Sequence, residues 1–241
     1  MLILISLLAC SGDLNYKSDD TGTPPAPERQ SVISLETRDG VLLEADYISA
    51  FETDRPGLVL LHMNPEANDR SNWPVSFVSG LADRNYAVLV PDRRGTGSSE
   101  GVAQDAFQGE AGKYDVEACV NHLVEEGVRN ISIVAASNGT TSALDYAVWA
   151  PGEDLPEPLS MVFMTGGNYT ENNTEMTALN VEQLLFTYST EEKAWSEMQQ
   201  AVDPGSWTFQ EYGGGDHGTR MFDAVPSSAD DIKDWLVERL G

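Results

Sequence analysis

Three residue types in this chain have the chemistry of acyl transfer: one serine at the end of an apolar run, one histidine in a glycine-rich loop, and a pair of glutamates between them. Ser137 stands in Ile131 to Val148, ISIVAASNGTTSALDYAV, where an apolar run passes into a segment with helical spacing. The local pattern is Ala135-Ala136-Ser137-Asn138-Gly139. It approximates the G-x-S-x-G turn, in which small flanking residues let a strand turn sharply into a helix and expose the serine hydroxyl. Alanine replaces the first glycine and is still small. Such a hydroxyl needs a base, and the base needs an acid to orient it. The chain has three histidines. His122 falls inside a helical segment and His62 ends the run LVLLH, where it lines the site or bonds locally. His217, in GGGDHGTRMF, lies between the last strand and the last helix and is the candidate base. A base of this type works when neutral, so activity is expected to rise with pH as the imidazole loses its proton.

In the chain order Ser, acid, His, the acid falls between Ser137 and His217. Thr190-Glu191-Glu192, after QLLFTYS, offers two candidates, Glu191 and Glu192. A one-residue shift in the strand end exchanges them. Either could instead sit in the first turn of a helix, where carboxylates favour the N-terminus. Glu171 is the runner-up, and Asp216 is disfavoured because adjacent loop side chains seldom face each other. Backbone N–H groups for a developing oxyanion are expected from Asn138, the residue after the nucleophile, and from Met63 or Asn64 after LVLLH. No His, Cys and carboxylate cluster has metal-ligand spacing, and the chemistry described calls for no cofactor.

These residues need a scaffold that brings strand ends together. From Ser31 onward, apolar runs alternate with helical segments. SVISLETRDG and VLLEADYIS alternate around Asp39-Gly40, a hairpin signal. GLVLLHM, YAVLVPD, ISIVAAS, LSMVFMTGG and QLLFTYS are continuous apolar runs, as buried parallel strands are. SWTFQEYGG is read as the last strand. VSFVSGLADRN, DVEACVNHLVEEG, TTSALDYAVWA, EEKAWSEMQQAV and SADDIKDWLVERL read as helices, with Asp115 as a cap and Gly127 as a stop in the second. The expected class is α/β, a mostly parallel sheet with helices on both faces and its site at the carboxyl ends of the strands.

Together the residues resemble the α/β-hydrolase superfamily, and within it small lidless serine hydrolases of the dienelactone-hydrolase-like type, over about Ser31 to Leu240. LVLLHM…SNW resembles the oxyanion strand and loop, with His62-Met63 where His-Gly is usual. YAVLVPDRRGTGSSEG matches the segment that carries Asp-x-Arg-Gly-x-Gly-x-Ser and is the most specific stretch. The resemblance implies that Asp92, Gly95 and Gly97 shape a turn, that AASNG is the nucleophile turn and DHGTRMF the histidine loop, and that there is minimal cap. Residues 168–181 have room only for a small flap. It also implies a small acyl substrate. A peptidase or amidase on the same scaffold, or a non-catalytic binding protein, are the alternatives.

Composition sets the outer limits. The 241 residues are 41% hydrophobic, which suits one domain at residues 31–241. The net charge of −25 supplies no basic stripe for nucleic acid. Of two cysteines, Cys119 reads as a core residue. The other ends Leu7-Leu8-Ala9-Cys10, which resembles the lipobox of bacterial lipoproteins. Residues 1–9 are then expected as a signal, Cys10 as the lipidated residue, and 10–30 as a polar tether to a membrane outside the cytoplasm.

Overall fold

The continuous apolar runs become the middle of an eight-stranded sheet. The computed structural model describes residues 29–52, 54–64, 68–181 and 183–240. The expected signal, Cys10 and all of the tether except Arg29 and Gln30 lie outside the described residues. In chain order the elements are β1 (Gln30–Glu36), β2 (Leu42–Ile48), β3 (Gly57–Leu61), α1 (Val75–Ala82), β4 (Ala87–Pro91), α2 (Ala103–Phe107), α3 (Gly112–Glu125), β5 (Ile131–Ala136), α4 (Gly139–Trp149), β6 (Ser160–Met164), β7 (Gln183–Ser189), α5 (Ala194–Gln200), β8 (Thr208–Tyr212), α6 (Met221–Ala224) and α7 (Ser227–Leu240). The strand order is β1-β2-β4-β3-β5-β6-β7-β8. β1 and β2 form the expected antiparallel hairpin and β2 pairs antiparallel with β4; the remaining pairs are parallel.

Strand pleating divides the core. Val59, Leu61, Ile133, Ala135, Met161 and Phe163 face the side covered by α3 and α4. Their sequence neighbours Leu58, Leu60, Val134, Ala136, Val162 and Met164 face the side where Phe77 and Leu81 of α1 meet Ile232, Trp235 and Leu236 of α7. Both faces are filled, so the central strands have no polar face, which is why they read as unbroken apolar runs. Cys119 is buried on the α3 side as expected.

Three local expectations are corrected. β1 starts at Gln30 rather than Ser31, and Arg29 before it is docked through Nε on the Ser49 carbonyl (2.9 Å). Asp115 does not cap α3, which begins three residues earlier at Gly112; its carboxylate is buried and accepts the backbone N–H (2.9 Å) and Nε–H (2.8 Å) of Arg94. Glu191 and Glu192 do not open α5 either. They form a separate 3₁₀ turn, Thr190–Glu192, two residues ahead of it. The segment expected as a flap is a 3₁₀ stretch, Glu171–Ala178, fastened to α4: Thr170 Oγ1 and Asn172 Nδ2 both donate to Asp145 (2.6 and 2.8 Å).

Candidate active site

Ser137 follows β5 directly and has φ of +51°, a backbone region that non-glycine residues seldom enter. The turn is held by the Ser137 N–H on the Met164 carbonyl of β6 (2.8 Å). It also needs Gly139. A Cβ there would lie 2.6 Å from the Leu61 carbonyl oxygen and 2.7 Å from that of His62, so glycine lets α4 start against the end of β3. Ala135, in place of the motif's first glycine, is buried in the sheet between Leu61 and Phe163, where a methyl group fits the core.

The histidine loop crosses from β8 to reach this turn. His217 Nε2 lies 2.6 Å from Ser137 Oγ, and its Nδ1 lies 2.8 Å from Glu192 Oε2. A carboxylate only accepts, so Nδ1 carries the hydrogen and Nε2 is left to accept from the serine hydroxyl. Of the two glutamates, Glu192 is the one on His217; Glu191 is exposed on the same turn. Glu171 opens the 3₁₀ stretch against α4, and Asp216 accepts the backbone N–H of His217 (2.6 Å) and faces Arg220. Ser137 is 4% exposed, whereas the side chains of His217 and Glu192 are 24% and 41% exposed. The chain of hydrogen bonds therefore runs from interior to solvent.

A residue without a sequence signal braces this loop. Thr165, just after β6, has φ of +49°, a rare state for a β-branched residue. Its N–H donates to the Thr187 carbonyl (2.7 Å), and its Oγ1 accepts the N–H of Gly218 (3.2 Å), next to His217.

The other side of the site is the β3 exit. His62 is fully buried. Its Nε2 accepts the backbone N–H of Arg93 (2.9 Å), and its Nδ1–H donates to the Met63 carbonyl (3.0 Å). Burial, with the Arg93 charge beside it, pushes its pKa down to about 3, so it is a neutral, fully engaged ring. Arg93 is also fully buried. Its Nη1 reaches the His62 carbonyl (3.4 Å), the Met63 carbonyl (3.3 Å) and Asn138 Oδ1 (3.2 Å); its Nη2 reaches Asn138 Oδ1 (3.2 Å) and Ser142 Oγ (2.7 Å). Among the described residues no acceptor takes the backbone N–H of Met63 or of Asn138. The carbonyl of Asn64 accepts from Asn68 Nδ2 (3.0 Å).

The expected turn residues hold this exit. Asp92 accepts from Arg70 N (2.9 Å), Arg70 Nη1 (2.5 Å) and Ser98 N (2.8 Å), and the φ of +53° at Gly97 brings the backbone against its carboxylate. The N–H of Gly95, at φ +75°, donates to the Glu100 carbonyl (2.7 Å). Arg70 also pairs with Glu44 and Asp46 of β2. Among the described residues, no group of three or more His, Cys, Asp or Glu side chains is placed to hold a metal ion, and no helix is long and apolar enough to cross a membrane.

No family model matches the sequence, and no curated protein matches it. Solved structures do resemble the fold. An esterase of Pyrococcus furiosus aligns over 88% of this chain and 91% of its own, with a TM-score of 0.62 and 18% identity. A lidless α/β serine hydrolase from Xanthomonas campestris aligns over 90% and 98%, at 0.67 and 13%. A dienelactone hydrolase from Anabaena variabilis aligns over 88% and 98%, at 0.66 and 14%. At such identities the likeness is one of fold: the chain has the α/β-hydrolase fold.

Proposed function

We propose that the protein is a serine hydrolase that cleaves an ester or related acyl bond of a small substrate. One observation carries the reading: a serine on a positive-φ turn, 2.6 Å from a histidine that is itself 2.8 Å from a glutamate. Ser137 Oγ attacks the acyl carbon while its proton passes to His217 Nε2. Glu192 accepts from Nδ1–H and balances the imidazolium that forms. The tetrahedral oxyanion takes hydrogen bonds from the N–H of Asn138 and from that of Met63 or Asn64. His217 then protonates the leaving group, and water, deprotonated by the same nitrogen, releases the acid from Ser137. Esterases and a dienelactone hydrolase among the structural neighbours support this reaction class.

Labelling with a fluorophosphonate, followed by peptide mapping, tests it. The modified residue is expected to be Ser137, and Ser137→Ala is expected to lose both labelling and hydrolysis of p-nitrophenyl acetate. Wild-type activity in Ser137→Ala would refute the assignment. We extend the proposal to location: Cys10 carries lipid and residues 10–30 tether the domain to a membrane outside the cytoplasm. Mass spectrometry of the membrane-extracted protein is expected to find Cys10 acylated, and an unmodified Cys10 would overturn that part alone.

A further inference from the structure

Arg93 is a buried cation that Asp115 and Asp145 reach only through space, without a direct ion pair among the described residues. Among the described residues no carboxylate hydrogen-bonds its guanidinium and its buried Nε–H has no partner; the acceptors are two carbonyls, an amide oxygen and a hydroxyl. Such a charge is costly to bury, and packing alone gives no reason to keep it. Its acceptors share one property. The His62 and Met63 carbonyls belong to the peptides whose N–H groups come from Met63 and Asn64, and Asn138 carries the other candidate donor. In a trans peptide the C=O and the following N–H point in opposite directions. Holding both carbonyls on the guanidinium therefore turns the Met63 and Asn64 N–H groups away from it. Gripping the Asn138 side chain fixes the second donor from the same centre.

We propose that Arg93 is the positioning residue of the oxyanion site: it sets both backbone donors and places a positive charge that no carboxylate directly caps behind the oxygen that becomes negative. The inference rests on the acyl-transfer reading and adds the residue that organises its charge stabilisation. Preorganised charge in a water-excluded site acts mainly on the transition state, so loss of Arg93 should lower kcat with little change in KM.

Four variants test it: Ser137→Ala, Arg93→Met, Arg93→Lys and Asn138→Asp, each with a thermal melt, kcat and KM on p-nitrophenyl acetate. Two inhibitors are titrated alongside, a trifluoromethyl ketone, which serine converts to an oxyanion, and the methyl ketone of the same shape. Asn138→Asp is the decisive variant. It pairs Arg93 with a carboxylate while keeping the backbone donor, so a kcat that survives it would leave the Arg93 charge without a role. The expected result is an unreduced melting temperature with kcat lower by roughly 10²-fold, the size of losing one oxyanion donor. Affinity for the trifluoromethyl ketone should fall in parallel and that for the methyl ketone should not. Arg93→Lys, which keeps the charge and most of the volume, should retain more activity than Arg93→Met. If Arg93→Met does not fold, the other two decide. The proposal fails if Asn138→Asp keeps kcat within about threefold of wild type, if the two ketones lose affinity equally, or if folded Arg93→Lys and Arg93→Met are equally impaired. Full activity in Ser137→Ala would instead remove the acyl-transfer reading and leave the Arg93 geometry without that role.

Discussion

The two halves of the site are built on opposite plans. The half at the exits of β3, β4 and β5 is buried and tied from many directions: Ser137 and Asn138 pack on the β3 exit, His62 has both ring nitrogens engaged, and Arg93 and Arg94 are fully buried side by side. Arg94 is a structural cation, bonded to Asp115 through Nε (2.8 Å) and to Asp39 through Nη1 (2.7 Å). The half at the exits of β7 and β8 is partly exposed, and His217 and Glu192 sit on short turns. Its ties to the body run through Thr165 and the serine itself. On the proposed mechanism the interior half fixes the nucleophile and the outer half moves protons, a division that mutations should separate. Outer changes should reduce chemistry with the fold intact, and inner ones should reduce stability.

The largest separation is expected at His217. His217→Ala removes the proposed base, and a rate loss of about 10³-fold or more is expected while the melt stays near wild type, because the ring is partly exposed. Steady-state kinetics beside calorimetry check it, and a melt that collapses with the rate would break the comparison. Arg94→Met is the inner counterpart. It leaves the Asp115 carboxylate buried without its cation, and burial already pushes that carboxyl's pKa up. A loss of roughly 3–5 kcal/mol in urea unfolding is expected. Glu192 comes third. Glu192→Gln is expected to lower kcat about 10²-fold, less than a buried triad acid would, because solvent shares the work of solvating the imidazolium. Glu191→Gln should leave kcat within about twofold, since its side chain is not on His217. Equal losses in the two variants would return the acid to ambiguity.

How much of this could be read from the chain follows from what each feature requires. The buried strands announce themselves because both faces of the sheet are covered, so β3 and β5 have no polar face to interrupt the run. His217 could be singled out because the other two histidines fall in a strand end and a helix. The turn roles of Asp92, Gly95 and Gly97 were implied by the resemblance of YAVLVPDRRGTGSSEG to a known segment, and the structure gives each a local turn role. The choice of Glu192 over Glu191 was not readable. It depends on β7 running to Ser189 and on a 3₁₀ turn of three residues, and one residue of slip reverses it. Nor could Arg93 be told from Arg94: past the end of β4 nothing in the local sequence says which guanidinium meets carboxylates. Thr165 had no signal, since the left-handed state of a β-branched residue is imposed by its neighbours. The short helices α2 and α6 lack the length to show a periodicity.

The smallest effect separates the halves by pH. His62 has a folded-state pKa near 3, set first by burial and then by the Arg93 charge, against about 6.5 when unfolded. Between those values the unfolded chain binds a proton that the folded chain refuses, so stability falls as pH falls through that window. From pH 6.5 to 5 the contribution is roughly 1.5 kcal/mol. The depressed carboxylate of Asp39, near 2, acts in the same direction at lower pH. In His62→Asn this proton-linked slope should disappear from urea midpoints measured between pH 7 and 5, although the variant should be less stable at pH 7 because both ring contacts are lost. A slope unchanged in His62→Asn would place the proton uptake elsewhere. It would also remove the claim that the inner half is held by a histidine kept neutral, leaving its rigidity to Arg94 and Asp92 alone.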